Sequence, residues 1–333
     1  MEKTEYDLSF KFLLVSRAVR SSALIFIALS LPLYLLILKV DIVNIGIIYL
    51  GTSLFNVVIT ISLGMLGDRI GYKAAMLMGE LPPIFTASVL SITHNVALIF
   101  AATAISGVAG APGGMRGTFS VGTTPYISRI WKNQTERIGK MAAITLTGSL
   151  FSIFGSLMLY SHVFLIRMYG NLGAFLILYR IALILMLISF ISIAILKRDE
   201  KQKKSTRFLK KESMKYSARI IIANVINGSA IGFSMSLISA WFEIRYHVSV
   251  SSIGLMFTFS YVTTALGSFV ASRAKVQHGM AVKYGAITRV LQGTSLILLA
   301  LMPFYSAASA VYIARTFIAG FGTPIRSSVG IQG

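Results

Sequence analysis

The sequence predicts an all-α membrane protein in which about ten transmembrane helices form two bundles, one of six helices and one of four. Of its 333 residues, 55% are hydrophobic and 13% are charged, whereas about 25% of the residues in soluble domains are charged. The apolar residues are gathered into runs of roughly 20, which is the length that crosses a bilayer. Lysine and arginine occupy alternate gaps between these runs, as expected of loops on one side of a membrane.

The apolar runs define the spans in chain order. Glycine and proline inside them are compatible with membrane helices, because neighbouring helices satisfy the freed backbone groups. The predicted spans are 21–38, 42–66, 74–93, 95–115, 141–166, 168–196, 220–242, 246–272, 284–306 and 307–328. Residues 1–196 are therefore predicted to form a six-helix bundle, 197–219 a cytoplasmic linker, and 220–333 a four-helix bundle.

The distribution of basic residues predicts the orientation. Of the 31 lysines and arginines, 25 lie in the amino-terminal segment, the even-numbered gaps and the carboxyl-terminal end, and three lie in the odd-numbered gaps. The positive-inside rule then places both termini and the linker Lys197–Arg219 in the cytoplasm of a multi-pass protein of the cell membrane. The net charge is +20, but 28 of the 31 lysines and arginines lie in the gaps and at the chain ends. The charge therefore indicates a lipid bilayer as partner rather than nucleic acid, which needs a soluble basic face.

Two absences in the sequence exclude other classes of chemistry. The chain has no cysteine, which excludes disulfides and thiolate metal sites. It has no glycine-rich loop leading into Lys-Ser or Lys-Thr, which argues against nucleotide hydrolysis. No enzyme signature is present, and the sequence predicts neither a bound metal nor a cofactor.

Two short patterns recur along the chain at nearly the same spacing. Gly110-Ala111-Pro112 returns as Gly322-Thr323-Pro324, 212 positions later, and Ile45-Gly46 returns as Ile253-Gly254, 208 positions later. Spans 7–10 therefore look like a second copy of spans 1–4. Two related halves joined by a charged loop are typical of membrane transporters built from repeats.

The loop between spans 2 and 3 carries the most specific motif, Gly64-Met65-Leu66-Gly67-Asp68-Arg69-Ile70-Gly71-Tyr72-Lys73. It resembles the signature loop of the major facilitator superfamily, and the resemblance extends over essentially the whole chain. It implies a two-bundle helical fold and secondary transport by alternating access, with an acid that latches the cytoplasmic side. The residues to which it assigns gating are Gly64, Gly67, Asp68, Arg69, Gly71 and Lys73, with Glu136 and Arg137 resembling the family's Glu-Arg pair before helix 5.

The sequence also departs from the family pattern at three points. Tyr72 stands where the family usually has a basic residue, and Ser272 stands about where the second copy of the motif would have an acid. The family normally has twelve helices. Helices 11 and 12 are therefore expected to be absent from this chain, although in the family helix 11 faces the residue that corresponds to Asp68.

Ionisable residues inside membrane spans are costly and usually functional. We expect them to line a polar cavity in which an acid takes up protons and arginines attract an anionic group. For Glu80 the alternatives are pairing with an arginine or reaching the interface, and for the two asparagines the alternative is a helix–helix hydrogen bond. The candidate cavity residues are Glu80, Arg180, Arg289, Arg315, Asn224 and Asn227.

The resemblance implies a monomeric secondary transporter for a small-molecule substrate, with protons as the coupling ion. A looser similarity to multidrug and tetracycline-type efflux permeases favours export of a small organic compound. Uptake of an organic anion or a sugar is the alternative direction. The expected absence of two helices leaves a third alternative, a truncated membrane protein that does not transport.

Overall fold

The computed structural model describes residues 2–106, 118–131, 134–197, 199, 235–273 and 281–331 of the chain. This part of the chain is helical and contains no β-strand. Its helices are α1 (Glu2–Ile37), α2 (Ile42–Ile70), α3 (Tyr72–Ile92), α4 (Val96–Ser106), α5 (Thr118–Ile130), α6 (Gln134–Tyr160), α7 (His162–Ile195), α8 (Ile238–Tyr246), α9 (Val250–Arg273), α10 (Ala281–Leu301) and α11 (Tyr305–Ile331).

Seven of these helices are long and apolar enough to cross a membrane, namely α1, α2, α3, α6, α7, α9 and α10, and α4 is a shorter apolar helix. The all-α membrane fold predicted from composition is therefore confirmed. The count of ten spans stays a prediction, because spans 4 and 7 lie partly on residues outside the described ranges and α11, which corresponds to span 10, is not among these seven helices.

Two differences between the helix boundaries and the predicted spans have a visible structural cause. Helix α1 begins at Glu2 rather than at residue 21, because its first turns bury Phe10 and Leu13 against other helices of the bundle. Span 5 ends at Tyr160, and α7 changes direction at Gly170, whose φ of 68° and ψ of 177° are not helical. This conformation is accessible essentially to glycine alone, so the helix divides into residues 162–169 and 171–195.

The helices form two groups. In the first group, α1 packs against α6 and α7, while α3 packs against α7 and contacts α2, α4 and α5. In the second group, α11 packs against both α9 and α10. The groups meet where α6 packs along α9 and where α1 contacts α8.

The contact between α6 and α9 depends on small residues. Gly254 lies against the backbone of Tyr160, where an added Cβ would stand 2.5 Å from its nitrogen. One turn further along, Thr258 Oγ1 lies 3.1 Å from Ser156 Oγ. Small and hydroxylated side chains let membrane helices approach closely and form hydrogen bonds between them.

The buried apolar residues fall into two clusters. The larger contains residues of both groups, including Phe26, Tyr179, Phe242 and Tyr312. The smaller lies at the end where α2 meets α3, called here the signature-loop end, and contains only residues of the first group. Among the described residues, the two groups therefore share a core away from the signature-loop end.

Candidate functional site

The signature loop is a single-residue joint between two long helices. Helix α2 ends at Ile70 and α3 begins at Tyr72, so Gly71 alone connects them. Gly71 has a φ of 103°, which L-residues with a side chain rarely adopt. A Cβ at this position would also stand 3.0 Å from the Oδ1 atom of Asp199. Glycine at this position thus allows both the turn and the close approach of an acid.

Asp199 caps the amino-terminal end of α3. Its carboxylate accepts hydrogen bonds from the backbone nitrogens of Tyr72 (2.8 Å) and Lys73 (3.0 Å). The first N–H groups of a helix have no partner within the helix, and the helix dipole favours a negative charge beside them. The Asp199 side chain is completely buried and forms an ion pair with Arg129 Nη1 at 3.0 Å. One carboxylate therefore joins α3, α5 and the segment that follows α7.

Two further hydrogen bonds fasten the same segment. Lys73 Nζ donates to the Leu196 carbonyl at 2.6 Å, and the Tyr126 hydroxyl donates to the Lys197 carbonyl at 2.8 Å. Burial raises the pKa of Tyr126, which keeps its hydroxyl protonated as a donor at neutral pH. The chain leaving α7 is thereby bound to both α3 and α5.

Arg129 lies at the centre of this arrangement. Its guanidinium carbon lies 4.3 Å from the centroid of the Tyr72 ring, within the range of a cation–π contact. Its Nη2 atom lies 3.8 Å from Asp68 Oδ1, and the Tyr72 hydroxyl donates to the same oxygen. We call Asp68, Tyr72, Lys73, Arg129 and Asp199 the signature-loop cluster.

The other residues of the predicted gate lie at the edges of the cluster. The Tyr72 ring covers Gly67, where a Cβ would stand 2.5 Å from the ring. Gly64 and Arg137 are half-buried, and Arg69 is exposed. Glu136 is exposed and lines a separate cavity of about 560 Å³ together with Asp7, Trp131 and Lys140.

Exposure separates the two acids of the signature-loop cluster. The Asp68 side chain is 66% exposed, whereas that of Asp199 is 0% exposed. The acid that binds the signature loop to its surroundings is therefore Asp199, although the apolar pattern predicts it to lie in the cytoplasmic linker 197–219. Its position after the last apolar residue of span 6, among lysine and arginine, carries no sequence signal that separates it from a loop charge.

A second charged group lies deeper in the first group. Glu80 of α3 accepts a hydrogen bond from Arg20 of α1 at 2.5 Å, and their side chains are 0% and 3% exposed. Ser16 Oγ and Ser189 Oγ lie 2.9 Å apart beside this pair. Within the described residues, the other carboxylate oxygen of Glu80, Oε2, has no hydrogen-bond partner.

The predicted start of span 1 at residue 21 leaves Arg17 and Arg20 in the cytoplasmic segment before it. Both side chains are buried in the first group instead. They are buried because α1 is already helical from Glu2, and its buried apolar face begins at Phe10. The apolar residues among positions 6–19 contain this stripe, and a helical-periodicity test of that segment would have found it.

The remaining cavity candidates have different surroundings. Arg180 is exposed, and its Nε donates to the Ser91 carbonyl in the last turn of α3 at 3.3 Å. Arg315 is buried, and its guanidinium carbon lies 6.0 Å from the Tyr312 ring centroid. Arg289 is exposed on α10. Asn224 and Asn227 lie outside the described residues, so a shared cavity remains a prediction.

The long apolar helices, with charged side chains buried between them, define a multi-pass membrane protein. No protein-family model matches the chain, and no curated protein matches its sequence. Solved structures of similar fold include a mutant form of the nucleoside transporter NupG, with a TM-score of 0.69 and 14% identity over 97% of this chain and 81% of that one.

Two other solved structures of similar fold are transporters as well. A bacterial homologue of the human drug peptide transporters PepT1 and PepT2 has a TM-score of 0.67 and 14% identity, covering 98% of this chain and 83% of that one. The transporter FucP in its outward conformation has a TM-score of 0.64 and 17% identity, covering 98% and 85%. The fold is that of the major facilitator superfamily of membrane transporters.

Proposed function

We propose that this protein is a secondary transporter that moves a small organic solute across the cell membrane by alternating access. The observation that carries the proposal is the division into two helix groups, which share a buried core away from the signature-loop end. In transporters built from two related halves, one half rocks against the other around a central site. A shared core at one end provides a closed side in such a cycle.

The signature-loop cluster supplies the rigidity that rocking requires. Asp199 and Arg129 join α3, α5 and the segment after α7 through buried, charged hydrogen bonds. Domain movements of this kind turn about a few joints while the packed parts stay intact. Because Asp68 is exposed, it is available to hold the signature-loop end closed in one conformation of the transport cycle and to release it in the other.

Glu80 is the proposed proton site. It is completely buried, and its ion pair with Arg20 connects α1 to α3. Taking up a proton removes the charge that holds Arg20, so protonation and helix position are coupled at this pair. Export in exchange for protons is the first candidate for the direction of transport. Uptake is the second candidate, and the buried arginines of α1 favour an anionic solute for it.

The test is transport into proteoliposomes that contain the purified protein, with a solute panel of nucleosides, peptides, sugars, carboxylates and cationic drugs. Each solute is measured with a proton gradient in either direction and with none. We expect saturable transport of one class that responds to the gradient. Movement of every solute at the rate of protein-free liposomes would contradict the proposal and leave a membrane protein that does not transport.

The latch is tested by Asp68→Asn in the same assay. We expect transport to fall by about tenfold or more while the amount of protein in the membrane stays unchanged, because the exposed carboxylate contributes little to folding. Asp41→Asn is the matched control, since Asp41 is an exposed acid that caps the opposite end of α2. Equal transport by the two variants would reduce Asp68 to a loop charge.

A further inference from the structure

Within the described residues, Arg17 of α1 is a buried charge without a partner. Its side chain is 2% exposed, and its Nε and Nη2 atoms have no hydrogen-bond partner in this part of the chain. Burying a charged group without a partner is strongly unfavourable, and charged groups inside proteins are usually paired with an opposite charge. The arrangement therefore calls for an anion at this position.

Among the described residues, Glu80 and Glu243 each have a buried carboxylate oxygen without a hydrogen-bond partner. Glu243 lies in α8, just before α9, and Gly254 at the start of α9 packs on Tyr160, about three turns along α6 from the Gly148 that contacts Arg17. Glu80 is therefore the acid nearer to Arg17. Glu80 already forms the ion pair with Arg20. Arg17, Arg20 and Glu80 together leave one uncompensated positive charge in the interior of the first group.

The immediate surroundings of Arg17 suit a small anionic group. Its guanidinium lies against Gly148 of α6, where a Cβ would stand 2.5 Å from Nε and Nη2. Ser21 lies one turn further along α1, on the same helical face, and its buried hydroxyl also has no partner among the described residues. The Arg17 guanidinium and the Ser21 hydroxyl are hydrogen-bond donors on one face of α1, and Gly148 leaves this region free of a side chain from α6. Such donors match the oxygens of a carboxylate or a phosphate.

The position of Arg17 links it to the movement of the two groups. It lies between α1 and α6, and these helices carry the main contacts to α8 and α9 of the second group. A displacement of the second group therefore acts on the two helices that enclose Arg17. Arg17 is also one turn, about 4.5 Å, nearer the signature-loop end than Arg20, which places it towards the predicted cytoplasmic side.

We propose that Arg17, assisted by Ser21, binds the anionic group of the transported solute, a carboxylate or a phosphate, when α1 and α6 become accessible during the transport cycle. This inference rests on the proposed function, and it narrows the substrate to an organic anion. Because the guanidinium is enclosed between helices rather than facing lipid, a solute is favoured over a lipid headgroup as the source of the anion.

The first test measures the thermal unfolding midpoint of the purified protein in lipid-free detergent, titrated with benzoate and with inorganic phosphate against chloride at constant ionic strength. We expect at least one of the two anions to raise the midpoint of the wild type in a saturable way. Arg17→Gln should weaken the apparent affinity at least about tenfold, and Arg17→Lys should recover part of it because lysine lacks the planar fork.

The unfolding midpoint without any anion separates recognition from a structural role. If Arg17 serves to bind an anion and does not stabilise the ligand-free fold, Arg17→Gln removes an uncompensated charge and leaves this midpoint unchanged or higher. If the midpoint instead falls, Arg17 stabilises the fold, and this result would overturn the proposal. Gly148→Ala provides an independent variant that keeps the charge but displaces the guanidinium, and we expect it to weaken the anion effect as well. Lys11→Gln, an exposed cation on the same helix, should leave the anion effect unchanged.

Each other outcome overturns the proposal. The first is that neither anion raises the unfolding midpoint of the wild type. The second is that the anions raise the midpoint of Arg17→Gln as much as that of the wild type. The third is that phosphatidylglycerol in nanodiscs stabilises the protein through Arg17 while the soluble anions have no effect. Failure of this proposal is distinguishable from failure of the proposed function. Transport of a neutral or cationic solute that Arg17→Gln leaves intact would refute the anion site alone, whereas Arg17-dependent anion binding without transport would refute the transporter alone.

Discussion

The first helix group is held together partly by charge, whereas the second is held together by backbone contact. All four ion pairs within the described residues join elements of the first group. In the second group, α9 and α11 approach so closely that a Cβ on Gly267 would overlap the Phe317 carbonyl and one on Gly320 would overlap the Thr264 carbonyl. Hydroxyl groups bridge the same contact, with Thr263 Oγ1 3.0 Å from Thr316 Oγ1.

The difference shows two ways of fixing helices in an apolar solvent. Between membrane helices the lipid supplies no hydrophobic force, so close packing and hydrogen bonds hold them together. Buried charges stabilise helix packing less, because each needs an opposite charge or hydrogen bonds to offset the free energy of its desolvation. The first group therefore contains the buried ion pairs, and the second group is fixed by close packing of its helices.

The largest effect is expected from removal of the buried acid of the signature-loop cluster. Asp199→Ala removes the ion pair with Arg129 and uncaps α3, and loss of one member of a buried pair costs about 3 to 5 kcal/mol. We expect a large drop in the unfolding midpoint in detergent. Asp68→Ala, at the exposed acid of the same cluster, should shift the midpoint far less. Equal shifts would contradict the assignment of the capping role to Asp199.

An intermediate effect is expected at the contact between α9 and α11. Gly320→Ala places a methyl group into the Thr264 backbone, and overpacking of this kind costs about 1 to 3 kcal/mol. The measurement is again the unfolding midpoint. Gly293→Ala is the control, because that α10 glycine has nothing within 4 Å of an added Cβ and alanine has the higher helix propensity. A Gly320→Ala protein as stable as the control would show that the second group is packed more loosely than described.

The smallest effect is expected from Tyr72→Phe. This change removes the hydroxyl that donates to Asp68 but keeps the ring beneath Arg129. We expect a loss of about 0.5 to 1 kcal/mol, because a hydrogen bond to an acid that is two-thirds exposed is weakened by water. Chemical denaturation resolves such a difference. A loss as large as that of Asp199→Ala would indicate that the hydroxyl, rather than the Asp199 cap, fastens the loop.

The sequence could predict the helices and the position of the signature loop, since apolar runs and glycine spacing are local properties. It could not predict which charges face inward. Arg20 at the start of a span looks like any other basic flanking residue, and its burial depends on Glu80, sixty positions away. Asp199 presents the same difficulty, because its partners come from α3 and α5. Charge pairing between distant helices is a tertiary property that no local pattern records.

The bend at Gly170 has a consequence for the membrane in which the protein resides. An unbroken α7 of 34 residues would be an apolar rod of about 51 Å, far longer than a hydrocarbon layer of about 30 Å. The bend leaves residues 171–195 as the rod, about 37 Å long, which fits that thickness with a modest tilt. A single glycine thus sets the hydrophobic length that α7 presents to lipid, and with it the bilayer thickness in which this helix is free of hydrophobic mismatch.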